Sequence, residues 1–253
     1  MKVVILAGGF GTRLSEETVI KPKPMVEVGG RPIIWHIMKY YASYGHNEFI
    51  ICLGYKGHLI KEYFLHYHFI NSDFRIDLDT NTCEVLRGAG ENWKVTLVDT
   101  GHSTMTGGRI RRIEDYIDGT FMLTYGDGLS DIDINELVSF HTANDKKVTM
   151  TSVLLEGRYG YLTVKDNSVS EFVEKGKSHG NLINAGFFVC EPEVMNYIKN
   201  DQTVFEKDPL ETLVEQNQLG AYQHPGHWKC MDTLKDLNEF EVLWETNPFW
   251  KRW

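Results

Sequence analysis

An apolar run over residues 3–7, Val-Val-Ile-Leu-Ala, stops at three closely spaced glycines, Gly8, Gly9 and Gly11. A run this short and this uniformly apolar reads as a strand buried on both faces, the habit of parallel sheets. The glycines then let the backbone approach a ligand closely and take φ angles closed to other residues. Their N–H groups, and any helix start behind them, can face anionic oxygens. Thr12 and Arg13 follow at once, and Lys23 stands a short loop further on, between Pro22 and Pro24. The two prolines fix φ on either side of Lys23 and bias the preceding residues to extended conformations. An ammonium held this stiffly loses less freedom when it meets an anion. A tight turn alone would explain Gly8 and Gly9; the cations behind them point to a phosphorylated ligand of the nucleoside phosphate class.

Two well-known phosphate loops are excluded. No Lys-Ser/Thr follows a glycine at P-loop spacing, and the dinucleotide fingerprint that begins at Gly9 and Gly11 has Leu14 in place of its third glycine. Further along, Pro32 reads as a helix start, with Ile34, Ile37, Met38 and Tyr41 on one face. Gly45 ends that helix, and residues 48–53 form the next strand. This order predicts a Rossmann-like, doubly wound α/β fold with a mixed, mostly parallel sheet. Ligands in such sheets lie beyond the carboxyl ends of strands, where residues 8–13 fall. Strands are expected at 94–98, 121–124, 148–155 and 187–190, with helices at 60–68, 110–117, 192–199, 209–218 and 234–246. Residues 71–92 read as irregular with a short strand pair. Residues 161–164 and 169–173 read as a hairpin around Asp166-Asn167, and residues 220–223 and 228–231 as a late strand pair. The expected organisation is a single domain over residues 1–253, with a smaller β lobe at about 156–186.

The chain carries a net charge of −9, which argues against nucleic acid as a partner. It also sets a problem, because an acidic protein that binds anions needs local cations and a metal ion. Cys52, Cys83, Cys190 and Cys230 show no C-x-x-C spacing. They read as reduced thiols of a cytoplasmic protein. No apolar segment approaches the roughly 20 residues of a membrane span, and the glycine-broken amino terminus does not fit a signal peptide.

The run Gly8-Gly9-Phe10-Gly11-Thr12-Arg13-Leu14, followed by Pro22-Lys23-Pro24, resembles the signature of the sugar-1-phosphate nucleotidylyltransferases. The resemblance runs from Lys2 to about Trp244. Lys21-Pro-Lys-Pro-Met-Val-Glu27, Trp35-His-Ile-Met-Lys39, Thr124-Tyr-Gly-Asp-Gly128 and Met231-Asp-Thr-Leu234 are similar to the subgroup that makes CDP-glucose from CTP and glucose 1-phosphate. The resemblance implies a direct, in-line displacement at the α-phosphorus of CTP by a hexose 1-phosphate, with Mg²⁺ as cofactor. It assigns Lys23 to the α-phosphate region and Arg13 to the departing pyrophosphate. Leu6, Ala7, Gly8, Gly9, Gly11, Thr12, Thr106, Gly107 and Arg109 complete the expected nucleotide site. Lys21 is the weaker of the neighbouring lysines. Asp127 and Asp232 match the metal-binding aspartates, with Asp131 and Asp133 open as outer-shell acids. Tyr159, Gly160, Glu174, Lys175, Asn184 and Gly186 match the sugar-phosphate side; Gly176 stands where the family usually has proline.

Base choice has no decisive pattern. Gly107, Gly108 and Arg109 could face a pyrimidine edge, and a carbonyl such as that of Gly8 could accept from the amino group of cytosine. UTP, dTTP or another hexose 1-phosphate would need the same machinery. A non-catalytic nucleotide-sugar-binding regulatory protein is the rival of another class, although it has no need for both aspartates. His66-x-His68 and the tryptophans Trp244, Trp250 and Trp253 read as packing or as contacts between subunits of a homo-oligomer. A place in nucleotide-sugar supply for cell-surface polysaccharide such as O-antigen is implied by the resemblance alone.

Overall fold

The computed structural model describes residues 1–88, 90–154, 161–165, 168–173 and 182–253. Seven strands form the central sheet: Val3–Leu6 (β1), Glu48–Leu53 (β2), Lys94–Asp99 (β3), Phe121–Tyr125 (β4), Val148–Leu154 (β5), Leu182–Cys190 (β6) and Leu219–His224 (β7). Their spatial order is β7-β5-β6-β4-β1-β2-β3. Strand β1 lies between β2 and β4 and is parallel to both, while β6 is antiparallel to its neighbours β4 and β5. The sheet is therefore mixed and mostly parallel, as expected.

The uniform apolarity of β1 has a direct cause. Val3 and Ile5 enter one hydrophobic core, and Val4 and Leu6 enter a second on the opposite face of the sheet. Alternating side chains fill both cores at once. The first core is closed by the helices Ile33–Ala42 (α1), Gly57–Ile70 (α2), Ile134–Asn144 and Leu234–Thr246. The second is closed by Thr106–Arg111 and Asp208–Glu215. In chain order, helices 106–111, 134–144, 208–215 and 234–246 are α3 to α6.

Several expectations shift. Helix α1 is buried almost all round, not on one face, because Trp244, Trp250 and Trp253 fold back over Trp35 and His36. The carboxyl-terminal tryptophans thus make contacts within this chain. The helix expected at 110–117 starts earlier, at Thr106, and ends at Arg111. The helix expected at 192–199 is a 3₁₀ turn, Pro192–Tyr197. Helix α4 was not anticipated; Asp133 caps it by accepting from the Asn135 and Glu136 N–H groups. The two late strands do not pair with each other. β7 runs parallel to β5, and Trp228–Cys230 pairs antiparallel with Gly128–Ser130. The hairpins Ser72–Asp77 with Thr82–Gly88, and Tyr161–Lys165 with Ser168–Val173, form where the sequence placed them. Among the described residues no helix is long and apolar enough to cross a membrane.

Candidate functional site

The carboxyl ends of β1 and β4 open into a cleft of about 680 Å³. Leu6, Ala7, Gly8, Gly9, Gly11, Thr12, Arg13, Lys23, Thr106, Arg109 and Asp127 all line it. Of the expected nucleotide-site residues only Gly107 stands outside the lining. Gly11 takes φ +64°, which a side chain would strain, and a β-carbon there would press on Thr18. A β-carbon on Gly9 would meet nothing, so this part of the loop faces open space.

At one end of the cleft the charges converge. Lys23–Met25 form a 3₁₀ turn, entered from an extended Pro22, that holds Lys23 at 8% exposure, despite the extended bias that proline places on the residue before it. The Lys23 ammonium donates to Asp127 Oδ2 at 2.6 Å and to Asp232 Oδ1 at 2.7 Å. Arg13 donates to the other oxygen of Asp232 at 2.6 Å. Burial alone would lower the pKa of Lys23, but Asp127 and Asp232 outweigh it and hold the ammonium above the ordinary lysine value. Burial works on Asp232 in the opposite sense, yet Lys23 and Arg13 keep its carboxyl below the usual range. The small sheet missed by sequence reasoning builds this constellation. Cys230 stands opposite Gly128, and the Met231 N–H donates to the Asp127 carbonyl at 2.9 Å. That register carries Asp127 and Asp232 to the same point from positions far apart in the chain.

Two carboxylate oxygens converging on one cation are a fitting donor set for Mg²⁺, a hard ion that takes one or two protein carboxylates and completes its shell with phosphate and water. Among the described residues no group of three or more His, Cys, Asp or Glu side chains gathers as a metal cage. Asp131 and Asp133 are committed elsewhere: Asp131 to His224 and His227, Asp133 to the α4 cap. Lys21 faces Glu17 and Glu27 of its own loop.

The other cleft residues differ in what they do. Arg109 is 4% exposed, and its terminal nitrogens donate to the carbonyls of Gly8, Leu53, Gly101 and His102 and to the Thr100 hydroxyl. As placed, it braces the glycine loop from beneath, and contact with a base would require it to give up these acceptors. The Gly8 carbonyl accepts from both Arg109 and the Tyr55 N–H. Both its lone pairs are engaged, so it has none left for a cytosine amino group. Gly107 and Gly108 pack against residues 201–203, where a β-carbon would collide with main chain. The Thr106 hydroxyl donates to Glu206 and accepts from the Phe205 N–H. Gly186, at φ +78°, makes room for the Tyr125 ring and donates its N–H to Asn184. Tyr159, Gly160, Glu174 and Lys175 lie outside the described residues. Sequence reading passed over Phe10, whose ring lines the cleft and meets His102 edge-on at 5.0 Å. It also passed over Tyr125 and Glu206.

A sequence profile of the nucleotidyl transferase family matches residues 2–249. The chain belongs to that family. It is 52% identical to the glucose-1-phosphate cytidylyltransferases of Salmonella typhimurium and Salmonella typhi, over the full length of each protein and of this chain. The solved UDP-glucose pyrophosphorylase of Acinetobacter baumanii superposes with a TM-score of 0.70 at 17% identity, covering 97% of this chain and 94% of that one. At that identity the likeness concerns the fold alone.

Proposed function

We propose that this nucleotidyl transferase makes CDP-glucose and pyrophosphate from CTP and glucose 1-phosphate. The observation that carries the reading is Lys23 held between Asp127 and Asp232 at the end of a glycine-walled cleft. The choice of CTP and glucose 1-phosphate is supported by the full-length likeness to the two Salmonella enzymes of that name. A phosphate oxygen of the sugar attacks the α-phosphorus of CTP, the α–β bridge breaks, and pyrophosphate leaves in line. The protein's task is to align two anions and neutralise the charge that develops.

In this reading the main chain of Gly9 and Gly11 cradles the triphosphate, Lys23 turns to the α-phosphate, and Arg13 meets the pyrophosphate as a bidentate donor. Asp127 and Asp232 would hold Mg²⁺, which would supply positive charge to the phosphates. Asn184 serves the sugar side, as do Tyr159, Gly160, Glu174 and Lys175.

Pyrophosphate release tests this directly, with glucose 1-phosphate and Mg²⁺ present and CTP, UTP, dTTP, ATP and GTP offered separately. Release is expected with CTP and is lost in Lys23→Ala. Release with UTP or dTTP instead would keep the chemistry and reject the base. Silence with every nucleotide would reject glucose 1-phosphate as substrate or catalysis itself, and calorimetric binding of CTP would separate the two.

A further inference from the structure

Glu206 belongs to no motif and does not line the cleft, yet it ties the two banks of the cleft together. Its Oε1 accepts from the Tyr125 hydroxyl at 2.5 Å and its Oε2 from the Thr106 hydroxyl at 2.6 Å. Thr106 opens α3 on the nucleotide bank. Tyr125 ends β4, two residues before Asp127, and both line the cleft. The Tyr125 oxygen in turn accepts from Asn184 Nδ2 at 3.3 Å, and Asn184 Oδ1 accepts from the Gly186 N–H at 2.8 Å.

The chemistry of these groups gives the chain a direction. An ionised carboxylate can only accept, so the single proton of Tyr125 is committed to Glu206. Tyr125 then has only lone pairs to show Asn184, which must answer with its amino group. The Gly186 N–H demands the same orientation from the other end. One N–H of Asn184 is left over with a fixed direction.

We propose that Glu206 is a positioning residue. Through Tyr125 it holds Asn184 as a donor to an oxygen of the hexose 1-phosphate, and through Thr106 it anchors that chain to the nucleotide bank. This rests on the functional reading above, in which Asn184 faces the sugar.

The test is a double-mutant cycle. Tyr125→Phe removes one hydroxyl and keeps the ring in its seat over Gly186; Glu206→Ala removes the acceptor. Each is expected to raise the KM for glucose 1-phosphate by about tenfold, the equivalent of one net hydrogen bond. The double variant should be no worse than either single one, because both break the same chain. The KM for the nucleotide should move in Glu206→Ala, through Thr106, and stay put in Tyr125→Phe. Glu206→Leu, close in volume and likewise without an acceptor, replaces Glu206→Ala should the latter fail to fold. The inference is overturned if Tyr125→Phe leaves the sugar phosphate KM within about twofold of the parent, the equivalent of well under 1 kcal/mol, or if the effects multiply in the double variant. The assay uses whichever nucleotide releases pyrophosphate, so a wrong base does not disturb it. Should none do so, calorimetric binding of glucose 1-phosphate to the parent and to Tyr125→Phe decides: weaker binding to the variant supports the chain, and equal binding or none to the parent overturns it.

Discussion

Lys23 does two jobs that a substitution can separate. In the proposed reaction it is a cation for the incoming phosphates, and without them it keeps Asp127 and Asp232 from facing each other uncompensated. Lys23→Ala should lower kcat by about 10²–10³, the range for removing one preorganised donor. It should also lower stability by about 1–3 kcal/mol, less than a fully buried broken pair because the carboxylates are part-exposed. Mg²⁺ placed between the same oxygens would compensate. The thermal midpoint of the variant should therefore rise more on adding Mg²⁺ than that of the parent. An equal or smaller rise would sink the assignment of these two aspartates as one cation site. Lys23 and Asp127 were legible in the sequence because each sits among prolines or glycines that betray a special backbone. Arg109 was legible as a residue of the cleft, expected to face a pyrimidine edge, but not as a brace beneath the glycine loop, since nothing in the chain says which carbonyls will lie around it. Glu206 was not legible at all: its partners Tyr125 and Thr106 are 81 and 100 residues away.

Helix α6 begins immediately after Asp232, and its first turn fixes that aspartate. Thr233 caps the helix by accepting from the Asp236 N–H, while Asp236 Oδ2 accepts from the N–H groups of Thr233 and of Asp232 itself. The reciprocal cap is a stabilising device in its own right. Here it also pins the main chain of a candidate metal ligand. Asp236→Ala should cost about 1–2 kcal/mol of stability, the usual toll of a lost cap. It should also raise the Mg²⁺ concentration needed for half-maximal pyrophosphate release. Lost stability with an unchanged Mg²⁺ requirement would mean that the cap serves the helix alone. The helix itself could be read from its apolar spacing. The strand that delivers Asp232 could be read too, but its partner could not, because Trp228–Cys230 and Gly128–Ser130 pair over only three residues each. Segments so short carry no periodicity to match, and pairing them by nearness in sequence gave the wrong neighbour. Helix α4 escaped notice for a related reason: its buried side is narrow, with Ile134, Leu137 and His141 buried along its length.

Across the whole molecule, the doubly wound frame followed from the first strand, while the closure of the chain's end onto its beginning did not. Trp250 is fully buried against α1, and its indole N–H donates to His36 Nδ1 at 3.3 Å, while His36 Nε2 faces the Val28 carbonyl at 2.8 Å. Nε2 must then carry the ring's proton, and Nδ1 must stay bare to accept from Trp250. Protonation would set two N–H groups against each other in an apolar pocket. Burial is the main cause that pulls the His36 pKa down to about 4. The sign follows from linkage: below about pH 6.5 the unfolded chain takes a proton that the folded chain refuses, so stability falls as pH falls, until the folded histidine titrates near pH 4. A shift of this size corresponds to about 3 kcal/mol across that window. Carboxylates such as Asp131, held low by its hydrogen bonds to His227 and His224 against the opposing effect of burial, add their own losses at lower pH, so the parent curve alone cannot isolate the effect. His36→Gln can keep the donor to Val28 and cannot titrate. It should be less stable than the parent at pH 7, yet lose less on acidification. Urea unfolding at pH 7 and pH 4.5 in both proteins measures the difference. Parallel losses would show that His36 is not what couples the carboxyl-terminal wrap to pH, whereas a shallower loss in the variant would place the molecule's acid sensitivity at the junction of its first long helix and its last residues.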